Sequence, residues 1–482
     1  MEKYEEKLRV YFKSQSIWKD PKYSEMFKDY GIPSYMRDWL IKRYSNSEGG
    51  LSDEDFKRIL KVLNEKVIAK SDETLVKKLK KKLNDGENVK ILTEMEVDID
   101  FPSGKYLFRL PLINFPSRKG EGIIDESIVS KYEDELLKEK TWGVITLRLM
   151  RIENKRYVFC EDFKPFKPYK VSLDYFRRVR QEFTTKEWLD VIVSAMDYNP
   201  RAFREDQKLW LITRLFPFVE KNYNLIELAP KGTGKSYVYS RLSKYGWMIS
   251  GGVITRAKLF YDMASRRTGV LTKYDYIAID EIQTVKLKDP YEMVGVLKDY
   301  LESGTFRIGN FSGNGDAGFV ILGNIPKDYQ DINRSILDFF PEYFKETAFL
   351  DRFHAFLPGW MIPRMKENLK AKGWALNTEY FSEILHLLRS ELAYRKIVDE
   401  LLEYPAGSDT RDVKAVKKSL TACLKILFPH VMNHSTMSER ILDDFRKLCF
   451  EHAKNLRKFI RYQMALVDRE YERTMPEFSL RK

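Results

Sequence analysis

The feature that most constrains this chain is the segment Ala229-Pro230-Lys231-Gly232-Thr233-Gly234-Lys235-Ser236, set between the apolar run Asn224 to Leu228 and a helix predicted to begin near Tyr237. Strand, glycine-rich turn and helix in that order form a phosphate-binding loop. The turn's N–H groups point inward at a helix N-terminus, where the backbone dipoles favour an anion. Gly232 and Gly234 let the backbone turn, Lys235 is predicted to reach the β- and γ-phosphates, and Ser236 to offer its hydroxyl to Mg2+. Pro230, Lys231, Thr233 and Tyr237 complete the predicted nucleotide contact. Ala229 stands where the pattern usually has its first glycine, a change of little consequence if that position needs no positive φ.

Apolar strand, loop and helix recur from Tyr223 to about Pro358, the grammar of a parallel sheet with crossover helices. A second apolar run, Tyr276 to Ile279, ends 45 residues after Lys235 in Asp280-Glu281. Asp280 is predicted to hold Mg2+ and Glu281 to orient and polarise the attacking water. A third run, Gly318 to Leu322, ends in Gly323-Asn324, so the Asn324 amide is expected beside the other two loops, hydrogen-bonded to the γ-phosphate or the water. In Phe349-Leu350-Asp351-Arg352-Phe353 an arginine stands between apolar anchors, as a finger offered to a neighbour's γ-phosphate would. An ion pair of Arg352 with Asp351 or another acid is the competing account. Ser408 to Val413 reads as a helix N-cap with Arg411 in the first turn, a second sensor touching the nucleotide from a lid.

With 482 residues the chain exceeds one core, and changes of period divide it into five segments. Residues 1–87 read as a helical subdomain. Residues 88–172 read as a small β-barrel with strands Val89 to Ile99, Lys105 to Ile113, Trp142 to Ile152 and Arg156 to Phe163. An OB-fold and an ordinary β-sandwich both stay open there. Residues 173–222 form a helical linker, with helices over Leu173 to Met196 and Glu205 to Leu215. Residues 223–362 are the α/β core, and 363–482 a helical lid with C-terminal helices.

Lys and Arg outnumber Asp and Glu by 84 to 71, a net charge of +13 that suits a polyanionic partner or simply a solvated lysine-rich surface. Cys160, Cys423 and Cys449 lack metal-ligand spacing and are expected as reduced, mostly buried thiols, with no disulfide framework and no zinc site. The charged N-terminus and the lack of about 18 uninterrupted apolar residues predict a cytoplasmic protein with no membrane partner.

Between the acidic pair and Asn324, the segment Glu302 to Asp316 alternates around a Gly-Asn-Gly tip and predicts a β-hairpin. In a ring it can project into the pore, with Arg307 and Asn310 near phosphates and Phe311 free to stack on a base. A plain surface hairpin is equally economical. A second basic stretch, Gly251-Gly252 with Arg256, Lys258, Arg266, Arg267 and Lys273, either lines such a pore or solvates a helix.

Taken together, these residues make an α/β AAA+ P-loop ATPase core with a helical lid, preceded by the helical subdomain and the small barrel. The chain resembles the BrxL family, Lon-related AAA+ proteins of BREX phage-defence systems. The resemblance is carried by Leu225 to Ser236, Ile249-Ser250-Gly251-Gly252, Tyr274 to Glu281, Lys298 to Gly304, Gly323-Asn324-Ile325, Asp38-Trp39-Leu40 and Asp162 to Phe166. It implies ATP and Mg2+ as cofactors and an MCM-like hexameric or heptameric ring, with stacked double rings also open. It further implies binding to double-stranded DNA and work beside other BREX-type defence proteins. About 70 residues follow Arg411, too few for the family's usual C-terminal Lon-like domain, so intrinsic peptidase activity is not expected. A Lon-like protein unfoldase or protease component is the alternative. The Gly251-Gly252-Val253-Ile254-Thr255 stretch has no aromatic tip of the kind a protein-threading loop carries. A scaffold that binds ATP only to assemble is disfavoured by the intact set Lys235, Asp280, Glu281 and Arg352.

Overall fold

The computed structural model describes residues 2–27, 32–46, 49–67, 73–118, 120–137, 141–152, 155–166, 171–264, 266–326 and 333–481. Two compact units emerge, Met1–Pro21 with Val171–Lys482, and Lys22–Lys170. The expected boundaries are corrected accordingly. The first residues do not join a subdomain ending at 87, because strand β1 (Ser16–Lys19) pairs antiparallel with Gly373–Leu376. Ahead of it, Tyr4, Leu8 and Phe12 share a buried cluster with Phe176, Trp188 and Tyr380.

In the smaller unit, helices α1 (Ser34–Tyr44), α2 (Asp53–Lys66) and α3 (Glu73–Asn84) precede a closed five-stranded barrel. Its strands are β2 (Val89–Asp100), β3 (Lys105–Arg109), β4 (Gly122–Ile124), β5 (Thr141–Ile152) and β6 (Lys155–Pro165), in the order β2-β3-β4-β6-β5. All neighbours are antiparallel except β4 and β6. The three-residue β4 that completes the ring is too short to show a period and has no counterpart among the predicted strands. Leu79 and Leu83 of α3 are buried with Ile91, Phe108, Ile145 and Phe163 of the barrel, so helix and barrel share one core rather than parting at residue 87.

In the larger unit, the helix predicted from Leu173 to Met196 is two helices. The break is set by a capping box in which the Thr184 hydroxyl accepts from Glu187 N–H and the Glu187 carboxylate returns to Thr184 N–H. It starts α4 (Thr185–Ala195), and α5 (Glu205–Thr213) follows. Next come β7 (Leu225–Ala229), α6 (Lys235–Arg241), β8 (Gly246–Ser250), β9 (Tyr276–Asp280) and α7 (Pro290–Ser303). A hairpin of β10 (Thr305–Ile308) and β11 (Phe311–Asn314) leads to β12 (Gly318–Asn324) and β13 (Ala355–Pro358).

Five of these strands make one parallel sheet, ordered β13-β7-β12-β9-β8. Strands β7, β9 and β13 are buried along their whole length, which is why they read as continuous apolar runs instead of alternating ones. Helices α8 (Thr410–Leu427) and α9 (Glu451–Val467) close the fold. Val416, Leu420 and Leu456 share a core with Leu225 and Leu322, so the divisions expected at 222 and 362 fall inside one unit.

The cysteine expectation is overturned. Cys423 of α8 and Cys449, in the π-helical segment Arg446–Phe450 that runs into α9, form a disulfide, because the packing of these helices brings Cα atoms 26 residues apart in sequence to 5.9 Å. Cys160 remains a free, buried thiol whose pKa burial pushes up to about 12. Among the described residues, no helix is long and apolar enough to cross a membrane.

Burial also keeps His452 neutral, with its pKa pushed down to about 3 from 6.5. Its Nε2 lies 2.6 Å from the Thr213 hydroxyl, and its ring meets Trp210 edge-on. A group whose pKa is depressed on folding contributes stability that is complete above its unfolded pKa and lost as pH falls toward the folded value. Denaturant titrations should therefore show stability declining from pH 6.5 toward about 3. His452→Gln should flatten that decline, and an unchanged slope would remove His452 as its source.

Candidate active site

Because β7, β12 and β9 are adjacent and parallel, the glycine-rich loop after β7, Asn324 of β12 and Asp280 of β9 emerge at one edge of the sheet. Gly232 and Gly234 hold φ of +83° and +81°, values that ordinary side chains rarely adopt. A Cβ on Gly234 would also lie 2.6 Å from the Tyr198 hydroxyl, so that position excludes a side chain twice over. Helix α6 starts at Lys235 with no side-chain cap, leaving its first N–H groups for a ligand.

The Lys235 ammonium is buried and donates to Asn324 Oδ1 at 2.7 Å, joining the P-loop to the end of β12. Burial lowers its pKa, against which the Glu227 and Asp280 carboxylates work to raise it. Asp280 ends β9 with one carboxylate oxygen accepting from Glu281 N–H at 2.9 Å. Glu281 itself sits at φ +53°, left-handed for a residue with a side chain, and its carbonyl accepts from Thr284 N–H. Such a conformation costs about 1 kcal/mol or more and persists where the surroundings impose it. Gln283 donates to the Asn324 carbonyl at 2.7 Å, which ties the acidic turn to the end of β12. The Asp280 carboxylate and the Ser236 hydroxyl are hard oxygen donors. They fit Mg2+, which takes one or two protein oxygens and leaves the rest of its shell to phosphates and water.

Beneath the loop lies a device that motif reading missed. Arg214, fully buried at the end of α5, forks onto the equally buried Glu227 of β7 with contacts of 2.6–3.2 Å. Its other amine donates to the Thr233 carbonyl at 3.1 Å and the Tyr198 hydroxyl at 2.9 Å. Burial opposes the guanidinium charge and the Glu227 carboxylate more than restores it, so Arg214 stays charged. The signal was present in Leu225-Ile226-Glu227-Leu228: an acid inside a buried strand requires a cation beside it. Arg214→Met should lower unfolding free energy by about 3–5 kcal/mol, since it strands a buried carboxylate. Adding Glu227→Leu should recover most of the loss in the same denaturant titration. A single-variant loss below about 1 kcal/mol would mean that water reaches the carboxylate. The loop is braced on a second side, where Lys19 of β1 pairs with Asp197 at 2.5 Å and Asp197 accepts from the Tyr237 hydroxyl.

Arg352 and Arg411 do not join this cluster. Arg352 precedes β13, whose Ala355 is level with Leu225 at the start of β7, and its carbonyl accepts from the Asn224 side chain at 3.1 Å. The loop leaves the far end of β7, and a five-residue strand spans about 16 Å. Arg352 therefore sits at the opposite edge of the sheet from its own P-loop. Its Nε donates to the Lys298 carbonyl at 2.9 Å, and it lies 3.7 Å from Glu302. Arg411, in the first turn of α8, donates to the same Glu302 at 2.9 Å and to Asp351 at 2.8 Å. The two arginines thus form one patch, away from the nucleotide site that the lid reading gave to Arg411. Behind them Arg457 of α9, fully buried, binds Asp351 and Asp412 and donates to the carbonyls of Asp351 and Phe353.

The hairpin exists, but its tip differs from the expected one. Ile308 pairs with Phe311, so the two-residue turn is Gly309-Asn310, with Gly309 at φ +56°. Gly313 instead lies against the Phe306 and Phe311 rings, and Gly315 N–H closes the base on the Gly304 carbonyl. Phe311 is not free on both faces: it stacks on Tyr261 with centroids 3.8 Å apart. Arg307 is exposed and, with Arg352, lines an open cavity of about 590 Å³ between hairpin and α7. Asn310 is exposed at the tip, and Lys273 is exposed ahead of β9. All of these lie toward the sheet edge that carries Arg352.

A family model described as "Lon-like protease BrxL-like, ATPase domain" matches residues 158–477. A second, "BREX system Lon protease-like protein BrxL N-terminal", matches residues 10–149. The chain is 28% identical over 438 residues to the Lon-like protease BrxL of Escherichia coli O9:H4 (strain HS), covering 90% of this chain and 60% of that protein. It is 28% identical over 444 residues to the Lon-like protease BrxL of Bacillus cereus (strain H3081.97), covering 89% and 63%. The chain thus spans about three fifths of the length of these curated relatives.

Proposed function

The chain belongs to the BrxL family of Lon-like ATPases, and from that premise we propose that it is a ring-forming AAA+ ATPase acting on double-stranded DNA within a BREX-type antiphage defence. The observation that carries the ATPase reading is the Lys235–Asn324 contact of 2.7 Å. It joins P-loop and sensor strand at the same sheet edge as Asp280 and Glu281. Strand β12 stands between the P-loop strand and the acidic strand, as the AAA+ assignment requires. When bound, Mg2+ offsets phosphate charge, while Lys235 orients the phosphate chain and Glu281 positions water.

Ring assembly is supported by the position of Arg352 and Arg411, with Arg352 a strand's length away from its own P-loop and both arginines held together by Glu302. A neighbouring copy's nucleotide is the anion such a patch would meet. That moves Arg411 from a lid sensor in its own site to a partner of Arg352 in trans. DNA as the substrate is supported by the net charge of +13, by exposed Arg307, Asn310 and Lys273 on one edge, and by the closed barrel, which we read as an OB-fold.

Steady-state ATP hydrolysis with double-stranded DNA, single-stranded DNA or an unfolded protein, at two salt concentrations, tests this reading. Stimulation by double-stranded DNA that fades with salt is the expected result. Stimulation only by unfolded protein would replace it with a Lon-like protein unfoldase or protease component, in keeping with the relatives' name, Lon-like protease.

A further inference from the structure

We propose that Arg364 is a phosphate-contacting residue of the nucleotide site, supplied in cis by the segment that follows β13. The inference rests on the P-loop reading above and adds a second cation to Lys235. After β13 the chain passes close over the P-loop strand: a Cβ on Gly359 would lie 2.3 Å from the Ala229 Cβ. Met365 N–H then donates to the Gly232 carbonyl at 2.8 Å, and Asn199 N–H to the Leu369 carbonyl at 2.8 Å, so the segment is pinned on both sides of the loop. Arg364 lies at this pinned stretch with its Nε 3.2 Å and Cγ 3.4 Å from the Cβ position of Gly232. The residue is exposed and has no hydrogen bond or ion pair among the described residues.

That placement is electrostatically incomplete. A structural arginine on a surface ordinarily pairs with an acid or a carbonyl, as Arg204 does with Asp206 and Arg201 with Glu2 and Glu5. Arg364 instead stands beside a turn whose inward N–H groups carry partial positive charge. A permanent cation next to such a nest is favourable only when an anion lies between them. The planar guanidinium fork suits phosphate oxygens in particular. ADP and ATP both present such oxygens to the loop, so the contact serves both nucleotides.

The test is equilibrium titration of the full chain with fluorescent ATP and ADP analogues in Mg2+, for the parent, Arg364→Ala, Arg364→Lys and Lys235→Ala. Arg364→Ala should weaken both nucleotides by about tenfold, the size of one charge-assisted hydrogen bond, with Arg364→Lys recovering part of it. Its nucleotide-free melting temperature should equal the parent's, because the side chain supports nothing else. Parent-like affinity in Arg364→Ala, with Lys235→Ala weakened, would overturn the assignment while leaving the P-loop reading intact. Parent-like affinity in Lys235→Ala would overturn the P-loop reading itself, and Arg364 with it.

Discussion

Arg352→Ala is expected to lower ATP turnover by about 10³-fold or more while leaving nucleotide affinity at the same chain's P-loop unchanged. The two halves of that result come from one geometric fact. Arg352 lies before the first residue of β13, its carbonyl held by the Asn224 side chain, and Lys235 lies beyond the last residue of the adjacent, parallel β7. Its charge therefore contributes nothing to binding in cis, and in the ring proposed above its loss removes only what it would supply to a neighbouring copy's transition state. Mixing makes the distinction sharp. Arg352→Ala retains a good P-loop and Lys235→Ala a good finger, so two inactive variants should regain turnover when combined. Normal turnover in Arg352→Ala, or a mixture that stays inactive, would return Arg352 to the ion-pair account offered by Glu302. Arg457 enters here as a support: it grips the residues on both sides of Arg352, so Arg352 stands on a buried, fully hydrogen-bonded base.

Glu281→Gln should bind ATP at least as well as the parent and hydrolyse it about 10²–10⁴-fold more slowly, the usual contribution of a positioned base. The amide keeps the side chain's size and the left-handed backbone at φ +53°. What it removes is the capacity to accept water's proton. Asp280 is untouched, so the metal-binding oxygen remains. Single-turnover measurements with radiolabelled ATP separate the two steps. Slow chemistry with intact binding is expected, whereas a variant that fails to bind would place Glu281 in ligand binding instead.

Much of the site was legible before folding because it is built from strand ends. Leu225 to Leu228, Tyr276 to Ile279 and Gly318 to Leu322 are runs that two-sided burial explains, the first leading into the P-loop, the second ending at Asp280 and the third at Gly323-Asn324. A parallel sheet brings those stops to a common edge, so Lys235, Asp280 and Asn324 were predictable as neighbours. Glu227 was visible as an anomaly, but its partner was not. Arg214 comes from a helix of low periodic contrast, and only packing shows that it forks under the loop. Arg364 had no sequence signal at all, since one arginine in an irregular segment looks like any other.

The sequence by itself determined which groups the chain brings to the site: a P-loop, an acidic strand end and a polar strand end at Asn324. Local spacing dictates these, because side-chain type and strand period are properties of short segments. The tertiary structure alone decided which of the singled-out residues gather at the P-loop and which lie at the opposite end of the sheet. It paired β13 beside β7, which carried Arg352 to the far edge, and packed α8 so that Arg411 shares Glu302 with it. It also moved the hairpin tip to Gly309-Asn310, drew β1 into the larger unit and joined Cys423 to Cys449. Each of these depends on contacts between segments distant in sequence, whose strength comes from buried area and mutual fit rather than from any pattern along the chain.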